Sequence, residues 1–171
     1  MNTLHKHILL SLCVLCLLTG CKQDDWMDWR TQNRIWLEQN KRQPGVETTH
    51  SGLQYKVLAD PLPTDAKPSV GKTVNVTYRG YLINALRRDD YGEYNGPDRF
   101  DGGTANFTIT EGSLIQGWVE GLSHIHNHGV IELYIPYELG YGADGYGTEG
   151  TFNYIPPYST LVFHIEVNAI L

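Results

Sequence analysis

The chain has 171 residues, 41% of them apolar and 19% charged, and a formal net charge of −6. That length allows one domain of ordinary size with an added segment and argues against two full domains. The apolar content excludes wholesale disorder, the acidic balance disfavours a nucleic-acid binder, and three cysteines are too few for a disulfide framework and badly placed for zinc.

The first stretch reads as an address. Met1 to His7 carry Lys6 and two histidines, and Ile8 to Leu18 run apolar apart from one serine. These eleven residues are fewer than the ~20 that a bilayer span requires. A basic start, a short apolar run and small residues after it describe a secretory signal. Leu18-Thr19-Gly20-Cys21 looks like a bacterial lipobox, a signal in which cleavage leaves a lipid-bearing Cys21 as the first mature residue. Cys13 and Cys16 then lie in the discarded part, so their CxxC spacing has no redox meaning.

Asp24 to Lys41 contains neither Gly nor Pro, and Trp26, Trp29, Asn33, Trp36 and Leu37 recur at helical spacing. Asp24 and Asp25 suit the start of a helix, Lys41 and Arg42 its end, and Pro44-Gly45 stops it. Its tryptophans either dock it on the globular body or place it at a membrane interface; docking is preferred, because tryptophan more often serves packing.

From His50 the period changes to two. Gly52 to Leu58 is expected as a strand, followed by a turn at Asp60-Pro61-Leu62-Pro63. Thr73 to Ile83 is a strand with Val74, Val76, Tyr78 and Gly80 on one face. Asn84 to Pro97 is a charged surface excursion or hairpin. Asn106 to Thr110 is a short strand, and Ser113 to His124 a helix with Leu114, Ile115, Trp118, Leu122 and Ile125 on one stripe and Ser113 as N-cap. Val130 to Ile135 is a strand. Pro136 to Tyr158 is a long loop with five Gly and five Tyr, and Thr160 to Leu171 alternates as a closing strand. Several antiparallel strands and one short helix make an α+β domain.

Three segments carry the functional signal: Val74-Asn75-Val76-Thr77-Tyr78-Arg79-Gly80, Arg99-Phe100-Asp101-Gly102, and Leu114-Ile115-Gln116-Gly117-Trp118-Val119-Glu120-Gly121-Leu122. Leu133-Tyr134-Ile135-Pro136, Tyr141-Gly142-Ala143 and Ile155-Pro156-Pro157-Tyr158-Ser159-Thr160-Leu161-Val162-Phe163 follow in order. Over residues 49–171 the chain resembles the FKBP-type peptidyl-prolyl isomerases. Its linker from Asn40 to Val57 is similar to the bacterial envelope subgroup that includes the macrophage infectivity potentiators. The resemblance implies a twisted antiparallel sheet wrapped over the helix. It divides the chain into a signal (1–20), a lipid-anchored linker with an amphipathic helix (21–48) and the isomerase domain (49–171).

The resemblance also implies roles. Trp118 would floor a proline pocket with Tyr78, Phe100 and Phe163 as walls. Ile115 would offer its backbone N–H to a substrate carbonyl, with Leu114 on the rim. Tyr141 would donate a hydroxyl hydrogen bond, Asp101 would sit near the twisting carbonyl, and Ile155 would cover one side. Implied partners are proline-containing polypeptides, a macrolide ligand and a membrane reached through lipid on Cys21; no cofactor, metal or nucleic acid is implied. Such an enzyme would assist protein folding in the cell envelope. A non-catalytic FKBP-fold binding module or chaperone is the alternative, and a structural envelope lipoprotein a third reading.

The sequence departs from the family pattern in places. Ala105 stands where an aromatic is common, no basic residue follows Asp101 closely, an insertion occupies Ala85 to Asp98, and the loop from Gly145 to Tyr154 is long, adding Tyr146, Glu149 and Phe152 to the rim. His124-Ile125-His126-Asn127-His128 has ligand-like spacing, but without Cys or acidic companions it reads as an exposed helix end.

Overall fold

The computed structural model describes residues 26–61, 66–85 and 99–171. The expected leader, Cys21, Asp24, Asp25 and residues 86–98 of the charged excursion lie outside the described residues. Helix α1 spans Met27–Asn40 and α2 spans Gln116–Gly121; the strands are β1 (Glu47–Thr48), β2 (Gln54–Ala59), β3 (Thr73–Leu82), β4 (Asp101–Thr108), β5 (Val130–Ile135) and β6 (Leu161–Ile170). They form one sheet in the order β1-β2-β5-β6-β3-β4, every neighbouring pair antiparallel. The α+β architecture expected from the sequence is the one observed.

On β3 the period-two pattern works as read. Val74, Val76 and Gly80 are buried, and their polar neighbours form cross-strand pairs with β4. Thr73 meets Thr108 at 2.9 Å, Asn75 meets Asn106 at 2.6 Å and Thr77 meets Thr104 at 2.9 Å. Such directly opposed pairs fix register. Strand β4 begins at Asp101, five residues earlier than expected, because β3 offers it a continuous partner through Gly102 and Gly103, which carry no β signal of their own.

The helical stripe in the domain is shorter than its periodicity suggests. Ser113 is not the N-cap: Ile115 is, with extended φ and ψ of −61° and 145° and no side-chain cap bond. Ser113 Oγ instead lies 3.0 Å from the carbonyl oxygens of both Thr108 and Thr110, closing the turn that leaves β4. After Gly121 the chain tightens into a 3₁₀ turn over Leu122–His124. Trp118, Leu122 and Ile125 nevertheless point into one core with Ile131, Leu133 and Ile135 of β5 and Phe163, Ile165 and Val167 of β6.

The alternation of β6 slips near its end. Asn75 pairs with Ala169 and Val76 with Val167, so Asn168 is the bulged residue. Its Nδ2 donates to Asn75 Oδ1 at 2.8 Å and to Thr77 Oγ1 at 3.0 Å. Beyond the bulge Ile170 packs on the core, whereas Leu171, expected inward, is exposed.

From Leu161 to Ile165 both faces of β6 are buried. The face opposite α2 carries Val162, joined by Tyr81 and Tyr134, and α1 covers it with Trp36 and Leu37. The Trp36 and Tyr134 rings lie 5.8 Å apart. The docking contacts of α1 are largely polar. Asn33, 2% exposed, accepts the Thr160 N–H at 2.7 Å. Gln54 Nε2 donates to Leu37 O at 3.0 Å, supplying a partner at the helix C-terminus, and Gln54 Oε1 accepts from Asn40 Nδ2 at 2.9 Å.

Gly117 and Gly121 set the distance between α2 and β5. A Cβ on Gly117 would stand 2.4 Å from Ile135 Cγ2, and one on Gly121 would stand 2.5 Å from Leu133 Cδ1. Both neighbours are fully buried and have no room to retreat. We expect Gly117→Ala to destabilise the fold by ~1–3 kcal/mol, the usual scale of overpacking, despite the ~1 kcal/mol that alanine gains over glycine in a helix. A lowered urea midpoint at unchanged m-value would show it.

Candidate active site

Trp118, 3% exposed, is the hub of a ring cluster. Its indole meets Phe163 at 5.1 Å and 90°, Tyr78 at 5.2 Å and 87°, and Phe107 at 5.4 Å and 71°. Phe100 completes the group against Phe163 at 5.5 Å and 86°. These are edge-to-face contacts, the arrangement ring quadrupoles favour. Gly80 makes room for the last pair: a Cβ there would lie 2.6 Å from Phe163 and 2.8 Å from Phe100. The strands supply Tyr78, Phe107 and Phe163, the turn before β4 supplies Phe100, and α2 pushes Trp118 up from below.

At the edge of the cluster, Tyr78 Oη donates to Asp101 Oδ1 at 3.2 Å, and the same oxygen accepts the Gly102 N–H at 2.8 Å. Burial, then the Asp101 charge, push the Tyr78 phenol up to about 12. Tyr141 is raised as well, by burial first and then by Asp101 and Tyr146. Both phenols therefore stay neutral and able to donate at physiological pH. The Tyr141 ring lies 5.0 Å from that of Tyr146. Ile155 is buried, and it exchanges two backbone hydrogen bonds with Tyr146, each 2.9 Å. The arrangement offers apolar ring faces, two neutral hydroxyls and one carboxylate.

The family model for FKBP-type peptidyl-prolyl cis-trans isomerases matches residues 64–168, and the model for the domain amino terminal to such isomerases matches residues 22–57. The chain belongs to the FKBP-type peptidyl-prolyl cis-trans isomerase family. It is 36% identical over 136 residues to the FKBP-type 22 kDa peptidyl-prolyl cis-trans isomerase of Escherichia coli K12, covering 80% of this chain and 58% of that one. It is 32% identical over 141 residues to the outer membrane protein MIP of Legionella longbeachae, covering 82% and 54%. Among solved structures, FkpA from Escherichia coli superposes with a TM-score of 0.67 at 27% identity, covering 99% of this chain and 73% of that one. The chain spans about half the length of the curated relatives it matches.

The FKBP-type residues expected from the sequence are distributed as follows. Tyr78, Phe100, Trp118 and Phe163 meet in the ring cluster, Asp101 stands at its edge, and Leu114, Ile115, Tyr141 and Ile155 pack against or within the same core. Two features escaped the sequence reading. Phe107 belongs to the cluster, touching Trp118 and, at 5.6 Å, Tyr78. Its signal was the period of two from Ala105, which shares its face of β4. The partner of Asp101, sought among basic residues, is Tyr78, which comes from the neighbouring strand. The histidines diverge: His124 stacks on Tyr55 at 4.2 Å, His126 Nδ1 lies 2.7 Å from Asp60 Oδ2, and His128 adopts φ of 64°.

Tyr55 is also raised to about 12, by burial and by its bond to Glu47. Unfolded phenols ionise near ~10. Above that pH the unfolded chain binds fewer protons than the native one, so the stability held by Tyr55 and Tyr78 is complete below about pH 10 and is lost as pH rises through about 12. Tyr78→Phe removes one of these contributions and should make the decline shallower; urea midpoints followed across that interval test it.

Proposed function

We propose that this protein is a peptidyl-prolyl cis–trans isomerase that acts on proline-containing polypeptides. The observation that carries the reading is the Trp118-centred ring cluster with the Tyr78–Asp101 pair at its edge. Family membership supports it.

The chemistry needs no nucleophile. An Xaa–Pro bond prefers trans by only ~0.5–1 kcal/mol, yet rotation must cross a barrier of ~18–20 kcal/mol, because it breaks amide resonance. The twisted amide has less charge separation than the planar one. A pocket of aromatic faces binds it in preference to the planar state, and that difference is what accelerates the reaction. In this scheme Trp118 floors the pocket under the proline ring, and Tyr78, Phe100 and Phe163 wall it. Phe107 holds Trp118 from behind, Asp101 faces the twisting carbonyl, and Tyr141 donates its hydroxyl to the substrate. The Ile115 N–H takes a substrate carbonyl beside Leu114, and Ile155 closes one side. A macrolide would occupy the same surface.

We further propose that residues 1–20 are removed, that Cys21 carries lipid, and that residues 49–171 work as the isomerase domain in the cell envelope. The Leu18–Cys21 motif supports this, together with the likeness to an outer membrane protein of Legionella. No helix among the described residues is long and apolar enough to cross a membrane. Expressed in a bacterial host, the wild-type chain should sediment with membranes and Cys21→Ser should move to the soluble fraction; equal partition of the two would defeat the anchor.

For the activity, the full chain in detergent should accelerate cis-to-trans conversion of an Xaa–Pro peptide, otherwise a process of tens of seconds. Trp118→Leu should lower kcat/KM by about tenfold or more, equivalent to ~1.4 kcal/mol of transition-state binding per decade. Absence of acceleration by a folded wild-type sample would sink the proposal and leave the binding-module reading in its place.

A further inference from the structure

The loop from Pro136 to Thr160 joins β5 to β6 and carries Tyr141 and Ile155. Helix α1 grips that loop at both ends. At its start, Arg30 Nη2 donates to Tyr137 Oη at 3.0 Å. At its end, the same guanidinium lies over the Tyr158 ring at 4.8 Å, while it stands 5.6 Å from the Tyr137 ring. Tyr137 and Tyr158 meet edge-on at 5.2 Å, so the cation clasps two rings that are twenty-one positions apart in sequence. One residue further on, Trp29 Nε1 donates to Ser159 Oγ at 3.1 Å, and Ser159 Oγ donates to Pro156 O at 2.7 Å. Asn33 Oδ1 then takes the Thr160 N–H.

These contacts converge on a strained residue. Tyr158 has φ of 60°, in the left-handed region that a bulky side chain adopts only when its surroundings over-determine it. Its N–H donates to Gly142 O at 3.0 Å, and the Gly142 N–H donates to Tyr137 O at 2.9 Å. Gly142 follows Tyr141 directly, and Pro156 follows Ile155. The path from α1 to the site is therefore short and covalently continuous: Arg30 and Trp29 hold Tyr158 and Ser159, which hold Gly142 and Pro156, whose chain neighbours face the substrate.

We propose that Arg30, assisted by Trp29 and Asn33, is a positioning residue of the prolyl site: α1 braces the loop so that Tyr141 and Ile155 stand ready for substrate. The inference rests on the isomerase reading above. The brace lowers the ordering that binding must otherwise impose, so its loss is felt mainly in KM. Lysine would keep the charge but lose the flat fork that spans two rings and a hydroxyl.

Three forms of the full chain test this in detergent: wild type, Arg30→Ala and Arg30→Lys. Hydrogen exchange at the Gly142 and Tyr158 amides should quicken on the order of tenfold in Arg30→Ala, with the Ile165 amide of β6 unchanged. For prolyl peptides, KM should rise severalfold in Arg30→Ala with kcat little altered, Arg30→Lys falling between. If Arg30→Ala does not fold, Trp29→Phe, which keeps a ring but removes the Nε1–H, carries the same readouts. Unchanged exchange at Gly142 and Tyr158 overturns the brace. Faster exchange with unchanged KM overturns the link to the site. A wild-type chain without isomerase rate overturns the reading on which the proposal rests, while the exchange measurement still decides the brace.

Discussion

The close approach of α2 to β5 is the constraint on which the remainder of the structure depends. Two glycines, one turn apart, let the helix backbone rest directly on Ile135 and Leu133. That contact fixes the depth of the helix, and the depth fixes where Trp118 meets its three ring partners. Gly80 plays the same part on the sheet, where the absence of a Cβ lets Phe100 and Phe163 meet. Three missing methyl groups thus place five aromatic rings. Cores packed to crystal-like density transmit such small displacements rather than absorbing them.

The second organising fact is that the sheet has two covered faces. One face buries the apolar core and the candidate site; the other takes α1 on Val162, Tyr81 and Tyr134. The two attachments differ in kind. The α2 face is nearly all apolar and is driven by burial, worth roughly 25 cal/mol per Å². The α1 face relies on Asn33, Asn40, Gln54 and Trp29, each of which satisfies a specific buried partner. Buried amides of this sort add little net energy but are costly to leave unpaired. They therefore specify one docking geometry and exclude its neighbours. That specificity is what allows a helix outside the sheet to reach the loop that borders the site.

Much of this was legible in the chain itself. The alternation of Val74, Val76 and Tyr78 marked β3 and its inward face, and the Val130–Ile135 run matched β5 to the residue. The helical stripe from Trp26 to Leu37 marked α1, including the polar Asn33 that lies on its buried side. The motif around Trp118 and the Ile155–Phe163 segment led to the family, and the four rings expected to meet do meet. The errors have local causes. Gly102 and Gly103 concealed the start of β4, because glycine has no strand preference and only pairing with β3 makes them extended. Ser113 looked like a helix cap, but its hydroxyl serves the preceding turn. The bulge at Asn168 displaced Leu171 from the core, since one extra residue moves every later side chain to the opposite face.

Sequence alone settled which residues are apolar, which period each segment follows and which motif orders them, since these are properties of neighbours along the chain. It therefore determined the fold class, five of the six strands and four of the five rings of the cluster. Only the tertiary structure decided what lies across a gap. Tyr78, not a basic side chain, is the partner of Asp101 because β3 and β4 pair at that register. Phe107 joins Trp118 because the sheet brings β4 to the same core on which α2 packs. Arg30 reaches Tyr137 and Tyr158 because their loop closes on itself beside α1. Each is a contact between residues far apart in the chain, and no spacing rule encodes such a contact until the backbone has folded.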